Sequence, residues 1–214
     1  SKLILLRHGQ SIWNQENKFT GFVDVELSKI GINEAVKAGK VLKKNKIHPD
    51  ILYTSVLKRA INTAQITLNI LGNFERKIIR DKALNERHYG DLQGLYKDDV
   101  LAKYGEAQFL AWRRGYTVRP PGGESLKDTY DRVIPYYLKE IEPNLQAGKN
   151  VLIVAHGNSL RALLKMLLKI SDQKIVKLNI PTGKLICIEF DSNGCVKSQK
   201  YLTDTGTPKL NFDR

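Results

Sequence analysis

Val151-Leu152-Ile153-Val154-Ala155-His156-Gly157-Asn158-Ser159-Leu160 is the stretch on which the fold turns. Five apolar residues, two of them β-branched valines and one an isoleucine, suit a strand buried on both faces, as in a parallel sheet. Leu160, Leu163, Leu164 and Leu167 then recur at the spacing of one helix face. His156 and Gly157 stand where strand passes into helix. The same design opens the chain, where Leu3-Ile4-Leu5-Leu6 leads into Arg7-His8-Gly9. In open α/β sheets ligands bind beyond the carboxyl ends of strands. Two histidines at two such ends can therefore meet across one site.

Apolar runs and helical patterns alternate through the rest of the chain, which reads as α/β with a largely parallel sheet. A helix is expected from near Ser28, with Ile32, Ala35, Val36, Gly39 and Leu42 on one face. Ile51–Thr54 reads as a strand, and Ser55 as the N-cap of a helix carrying Leu57, Ala60, Ile61, Ala64, Leu68 and Leu71. Ile78-Ile79 suits a third short strand. Ser125 with Asp128 resembles a capping box, and Pro135 should bend or split the helix that follows. Ser171 is expected to cap a short helix holding Ile175 and Leu178. Leu185–Phe190 and Val196–Tyr201 form a hairpin turned by Asn193-Gly194. With no repeat and no linker, residues 1–214 read as one domain, with loops in 85–124 as a lid and 203–214 as a loose tail.

Bulk composition narrows the class. The 214 residues, 42% hydrophobic and 27% charged, suffice for a sizeable core. No apolar stretch approaches the roughly 18–20 residues of a membrane span, and Ser1–Arg7 is too short a run for a secretory signal. Two cysteines, Cys187 and Cys195, make no disulfide framework, so a reducing cytoplasm is expected. The net charge of +13 raises nucleic acid as a partner. However, the lysines are scattered, as at Lys37, Lys40, Lys43, Lys44 and Lys46, and suit solvated helix faces. No aromatic-interleaved basic stripe supports a nucleic-acid module. Neither a nucleic acid nor a membrane is expected as partner.

Four strand ends carry the chemistry. The first offers Arg7 and His8, and the second Ser55 and Arg59. The Ile78 region leads to Glu86-Arg87-His88-Tyr89-Gly90, and the last long strand to His156, Gly157 and Asn158. A lone histidine here is as often a core residue bonded to a carbonyl; the pairing of His8 with His156 favours a shared site. Arg7 and Arg59 after strand ends suit bidentate phosphate contact rather than surface ion pairs. Glu86 either pairs with Arg87 or, beside a bound anion, serves as a proton donor. Arg113-Arg114 reads equally as solvated helix. His48 and His88 are given no catalytic role. Phosphate-loop, nucleophile-elbow and zinc-protease motifs are missing, no Cys/His cluster has zinc spacing, and no metal is expected.

Taken together these residues resemble the cofactor-dependent phosphoglycerate mutases of the histidine phosphatase superfamily, over nearly the whole chain. The resemblance is carried by Arg7-His8-Gly9 with Ser11 and Trp13-Asn14, by Phe19-Thr20-Gly21, and by Tyr53–Ala60. Leu84–Gly90, Leu92–Leu95 with Lys97, Trp112-Arg113-Arg114 and His156–Arg161 complete it. Gln10 departs from the family's usual Glu, and Gly115 from a common serine. The resemblance implies a three-layer sandwich, a mostly parallel central sheet flanked by helices. It implies interconversion of 3- and 2-phosphoglycerate, with 2,3-bisphosphoglycerate as priming cofactor. His8 would be the nucleophile, Glu86 the acid and base, and Arg7, Arg59 and His156 would hold the phosphoryl oxygens. Asn14 and the Gly157-Asn158 backbone would add hydrogen bonds. Thr20, Gly21, Tyr89, Lys97, Arg113 and Arg114 would hold the other end of a small phosphorylated anion. A homodimer is the expected assembly. The rivals are a phosphatase, or a bisphosphoglycerate synthase or phosphatase, on the same fold.

Overall fold

A computed structural model describes residues 1–72 and 77–203. The central sheet holds β1 (Lys2–Arg7), β2 (Ile51–Thr54), β3 (Ile78–Arg80), β4 (Val151–Ala155), β5 (Leu185–Phe190) and β6 (Val196–Leu202). Their order is β3-β2-β4-β1-β5-β6. The first four run parallel; β5 joins β1 antiparallel, and β6 closes the hairpin. The sheet is thus mostly parallel, with an antiparallel edge.

Strand alternation makes the three layers. Leu3, Leu5, Tyr53, Val151 and Ile153 point to one face, under α5 (Leu126–Tyr136) and α7 (Gly157–Leu167). Ile4, Leu6, Leu52, Leu152 and Val154 point to the other, under α2 (Lys29–Lys44) and α3 (Lys58–Leu71). Every residue of β4 is buried, as a central parallel strand requires. A small separate core of Phe19, Leu92, Val100, Phe109 and Trp112 joins α4 (Lys97–Arg114) to the loop after α1 (Ile12–Gln15).

Most local expectations hold. Ser28 caps α2 by accepting from the Gly31 N–H, and the Ser125–Asp128 capping box is present. Pro135 lies in α5, which passes into a π-turn at Tyr137–Ile141 and then α6 (Glu142–Gln146). Its ring has no N–H and collides with the preceding turn, so a regular helix cannot continue. Three expectations are corrected. Ser55 does not cap α3; Leu57 stands at that position without a side-chain cap, and the Ser55 hydroxyl goes elsewhere. The short helix after Ser171, α8 (Asp172–Ile175), ends before Leu178, which is buried beyond it. The segment 85–124, read as loops, contains the helix α4, which Gly105 at φ 78° interrupts. Cys187 is buried in β5 opposite Lys200, whereas Cys195 is exposed; both thiols are free. Among the described residues no helix is long and apolar enough to cross a membrane. Within the segment expected to be a loose tail, residues 204–214 lie outside the described residues.

Gly9 and Gly31 matter to the site. A Cβ on Gly9 would collide with the Gly31 carbonyl, and one on Gly31 with the Gln10 backbone. Only paired glycines let α2 pack against the chain as it leaves β1. Gln10 then turns away from that exit: its amide donates to Glu34 Oε2 and its side chain accepts from Ser28. Its departure from the usual Glu thus falls outside the site.

Candidate active site

Register builds the centre. Arg7 stands opposite Ala155 in the parallel β1–β4 pair, so the next residues on the two strands, His8 and His156, come side by side. Their ring centroids lie 4.8 Å apart. The His8 N–H continues the ladder to the Ala155 carbonyl at 2.9 Å.

Both rings are buried and neutral. Burial, then Arg59, then Arg7 hold His8 well below the ordinary histidine range. Desolvation outweighs both guanidiniums. Nδ1 of His8 lies 2.6 Å from the Gly9 carbonyl. A carbonyl only accepts, so Nδ1 carries the hydrogen and Nε2 keeps its lone pair. Burial, then Arg59, His8 and Arg7, likewise hold His156 down. Its Nε2 lies 2.7 Å from Ser55 Oγ, which already accepts from the Leu57 N–H. That hydroxyl can donate to a bare Nε2 or accept from an Nε2–H. Nδ1 has no partner among the described residues. Ser55 is thus a neighbour of the histidine pair, reached because β2 lies next to β4 in the sheet.

One cavity opens beside His8. Of the site residues expected from sequence, all but His156 line it: Arg7, His8, Asn14, Thr20, Gly21 and Arg59, together with Glu86, Tyr89, Lys97, Arg113, Arg114, Gly157 and Asn158. His156 is fully buried behind His8, at the start of α7. Seven lysine and arginine side chains line the cavity against one carboxylate, Glu86, among the described residues. Such a wall concentrates positive potential and attracts anions.

Arg7 and Arg59 are held by backbone carbonyls rather than by acids. Arg7 donates to the Ile180 carbonyl at 2.5 Å, and Arg59 to those of Val23 and Gly21 at 2.9 and 2.8 Å. Arg59 therefore shapes the Gly21–Val23 loop as well as facing the cavity. Lys97 opens α4 among guanidiniums. Burial, then Arg113, Arg7 and Arg114, lower its pKa to about 8.

Glu86 is oriented by two backbone amides. Its Oε1 accepts from the Arg87 N–H at 2.8 Å and from the Asn158 N–H at 3.0 Å. The second amide belongs to the first turn of α7, where N–H groups lack helical partners. The Asn158 amide, expected to meet a phosphoryl group, is thus taken by Glu86. Arg132 reinforces the loop, donating to the Glu86 and Ala83 carbonyls at 2.7 and 2.6 Å while chelating Glu124. Asn14 spends its backbone amide and side-chain oxygen on Ser11. His88 accepts from the Gly90 N–H and packs on Phe22, a structural role.

Sequence reasoning missed Lys18, Phe19, Arg161, Asn179 and Ile180 as cavity residues. Lys18 and Phe19 directly precede Thr20-Gly21, and Arg161 lies in the His156–Arg161 block, so a signal was present. Asn179 and Ile180 follow a short helix with no pattern of their own, and only packing brings them in. Among the described residues, no group of three or more His, Cys, Asp or Glu side chains is placed to hold a metal ion.

Comparisons agree with this geometry. A protein of Cytophaga hutchinsonii named 2,3-bisphosphoglycerate-dependent phosphoglycerate mutase is 54% identical over 206 residues, 96% of this chain and 95% of that one. A protein of Rhizobium meliloti with the same name is 50% identical, over 94% of this chain and 96% of its own. Among solved structures, a mycobacterial glucosyl-3-phosphoglycerate phosphatase superposes with a TM-score of 0.77 at 30% identity, covering 98% and 99% of the two chains. A model of the histidine phosphatase superfamily (branch 1) matches residues 3–202. With the paired histidines, the cation-lined cavity and this match, the chain belongs to branch 1 of the histidine phosphatase superfamily.

Proposed function

We propose that this protein interconverts 3-phosphoglycerate and 2-phosphoglycerate through a phosphohistidine on His8, primed by 2,3-bisphosphoglycerate. The observation that carries the reading is the distal set Lys97, Arg113 and Arg114 in the same cavity as His8. A phosphatase of simple monoesters has no need of three cations at the far end. The relatives bearing the mutase name are 50–54% identical to this chain, against 30% for the phosphatase structure. The cavity suits a polyanion: Arg7 Nε and Thr20 Oγ1 are buried polar atoms without partners among the described residues, and the wall carries one acid.

The bound bisphosphate supplies the phosphoryl group that loads His8. Nε2 of His8 then forms the N–P bond as the P–O bond breaks. Arg7, Arg59 and His156 offset charge on the equatorial oxygens. Glu86 gives its proton to the departing alkoxide and takes one from the hydroxyl that later attacks. Asn14 and Gly157 border the transferring group. Thr20, Gly21, Tyr89, Lys97, Arg113, Arg114 and the Asn158 side chain hold the other end. The 85–124 segment, which supplies four of these groups and packs on Phe19 through its own small core, acts as the lid that excludes water. We place the protein in the cytoplasm, as a homodimer, acting without a metal.

The test is a coupled assay with 3-phosphoglycerate and bisphosphoglycerate titrated from zero. Cofactor-dependent formation of 2-phosphoglycerate is expected. Phosphate release without 2-phosphoglycerate would turn the reading to a phosphatase. His8→Ala should abolish acid-labile label from labelled bisphosphoglycerate, and retained label would remove His8 as acceptor.

A further inference from the structure

Arg161 is 3% exposed on α7, yet its guanidinium makes no ion pair with a carboxylate among the described residues. Buried charges are ordinarily paired, so its partners are informative. One nitrogen donates to Asn158 Oδ1 at 2.8 Å. Another donates to the Arg114 carbonyl at 3.1 Å and the Ile175 carbonyl at 2.7 Å. The Asn158 amide, oriented by that first bond, donates to the Tyr89 hydroxyl at 3.2 Å. Arg87, fully buried, donates to the same hydroxyl at 3.0 Å and to the Arg113 carbonyl at 2.6 Å.

Two consequences follow from donor counting. The Tyr89 oxygen receives two donors, which leaves its own hydrogen for the cavity. The carbonyls of Arg113 and Arg114 end α4, where the last carbonyls lack helical partners and cations are favoured. Arg161 therefore ties the end of α4, which carries the distal cations, to the first turn of α7, which carries Asn158 and orients Glu86.

We propose that Arg161 is a positioning residue that sets the span between the phosphoryl end and the distal end of the cavity. It thereby confers selectivity for phosphate monoesters bearing a second anionic group. The proposal rests on the phosphoglycerate reading of this cavity. Arg161 would touch neither the phosphorus nor the nucleophile.

The test compares wild type, Arg161→Gln and Arg161→Lys on two substrates: 3-phosphoglycerate with saturating bisphosphoglycerate, and phenyl phosphate, which has no second anion. For Arg161→Gln, KM for 3-phosphoglycerate should rise about tenfold or more, as misplaced binding groups produce. The loss of kcat/KM on phenyl phosphate should be about tenfold smaller than on 3-phosphoglycerate, a residual loss being expected because Arg161 also steadies the turn that orients Glu86. Arg161→Lys, which can still reach one carbonyl, should fall between. Should Arg161→Gln fail to fold, the same split in Arg161→Lys decides. Equal loss on both substrates, or no loss on either, overturns the proposal. Absence of mutase turnover in the wild type would overturn the functional reading alone. In that case release of phosphate from 3-phosphoglycerate replaces isomerisation as the first arm, and the split still decides.

Discussion

Lys97 offers the sharpest test of the electrostatics. Its half-buried side chain opens α4 with Arg113, Arg7 and Arg114 as like charges, and burial with these charges lowers its pKa from 10.5 to about 8. At pH 7 roughly 90% of the free protein then carries the Lys97 charge, and at pH 9 roughly 10%. Since kcat/KM reports the free enzyme, it should fall about tenfold between pH 7 and 9 if the distal anion needs this cation. A bound anion raises the lysine pKa, so kcat should stay flat over the same window. Lys97→Arg keeps its charge throughout; its kcat/KM will be lower at pH 7 because the longer fork fits less well, but the break near 8 should move upward. The stability sign is opposite. The folded pKa is depressed, so the unfolded chain binds more protons between pH 8 and 10.5, and this group's contribution to stability rises with pH there. The assay is coupled turnover from pH 6.5 to 9.5 at constant ionic strength, with urea melts alongside. A break near 8 that survives in Lys97→Arg, or a wild-type profile flat to 9.5, would refute the argument.

Two further substitutions probe the histidine pair and the acid. Glu86→Gln keeps an oxygen that can accept from the Arg87 and Asn158 amides, so substrate binding should stay nearly intact while kcat falls ~100-fold or more; an unchanged rate removes Glu86 from proton transfer. Ser55→Ala leaves Nε2 of buried His156 without its partner. That should cost about 1–3 kcal/mol in urea unfolding and shift the His156 ring nitrogen-15 signals. If the signals and the stability both match wild type, Ser55 does not select the tautomer.

Local patterns carried much of the architecture because their physics is local. Unbroken apolar runs marked β1 and β4, and the serines at 28, 125 and 171 offered oxygens to amides only three residues away. Where a side chain had a distant competitor, the local reading failed. Ser55 looked like a cap because a strand preceded it and a helix followed. In the fold, His156 lies 101 residues away in sequence and 2.7 Å away in space, and it captures the hydroxyl. The Asn158 amide was read as an anion donor for the same local reason, and Glu86 took it.

From the sequence alone came the α/β class, the two histidines at strand exits, and most of the cations that line the cavity. These depend on residue type and periodicity, which one chain displays directly. Tertiary structure decided which ring nitrogen of His8 is free, that His156 stands behind His8 rather than on the cavity wall, and that Ile180, Asn179 and Arg161 complete the site. Those outcomes depend on strand register and on which of several donors reaches a carbonyl first, and neither exists until the sheet order β2-β4-β1 has brought distant segments together.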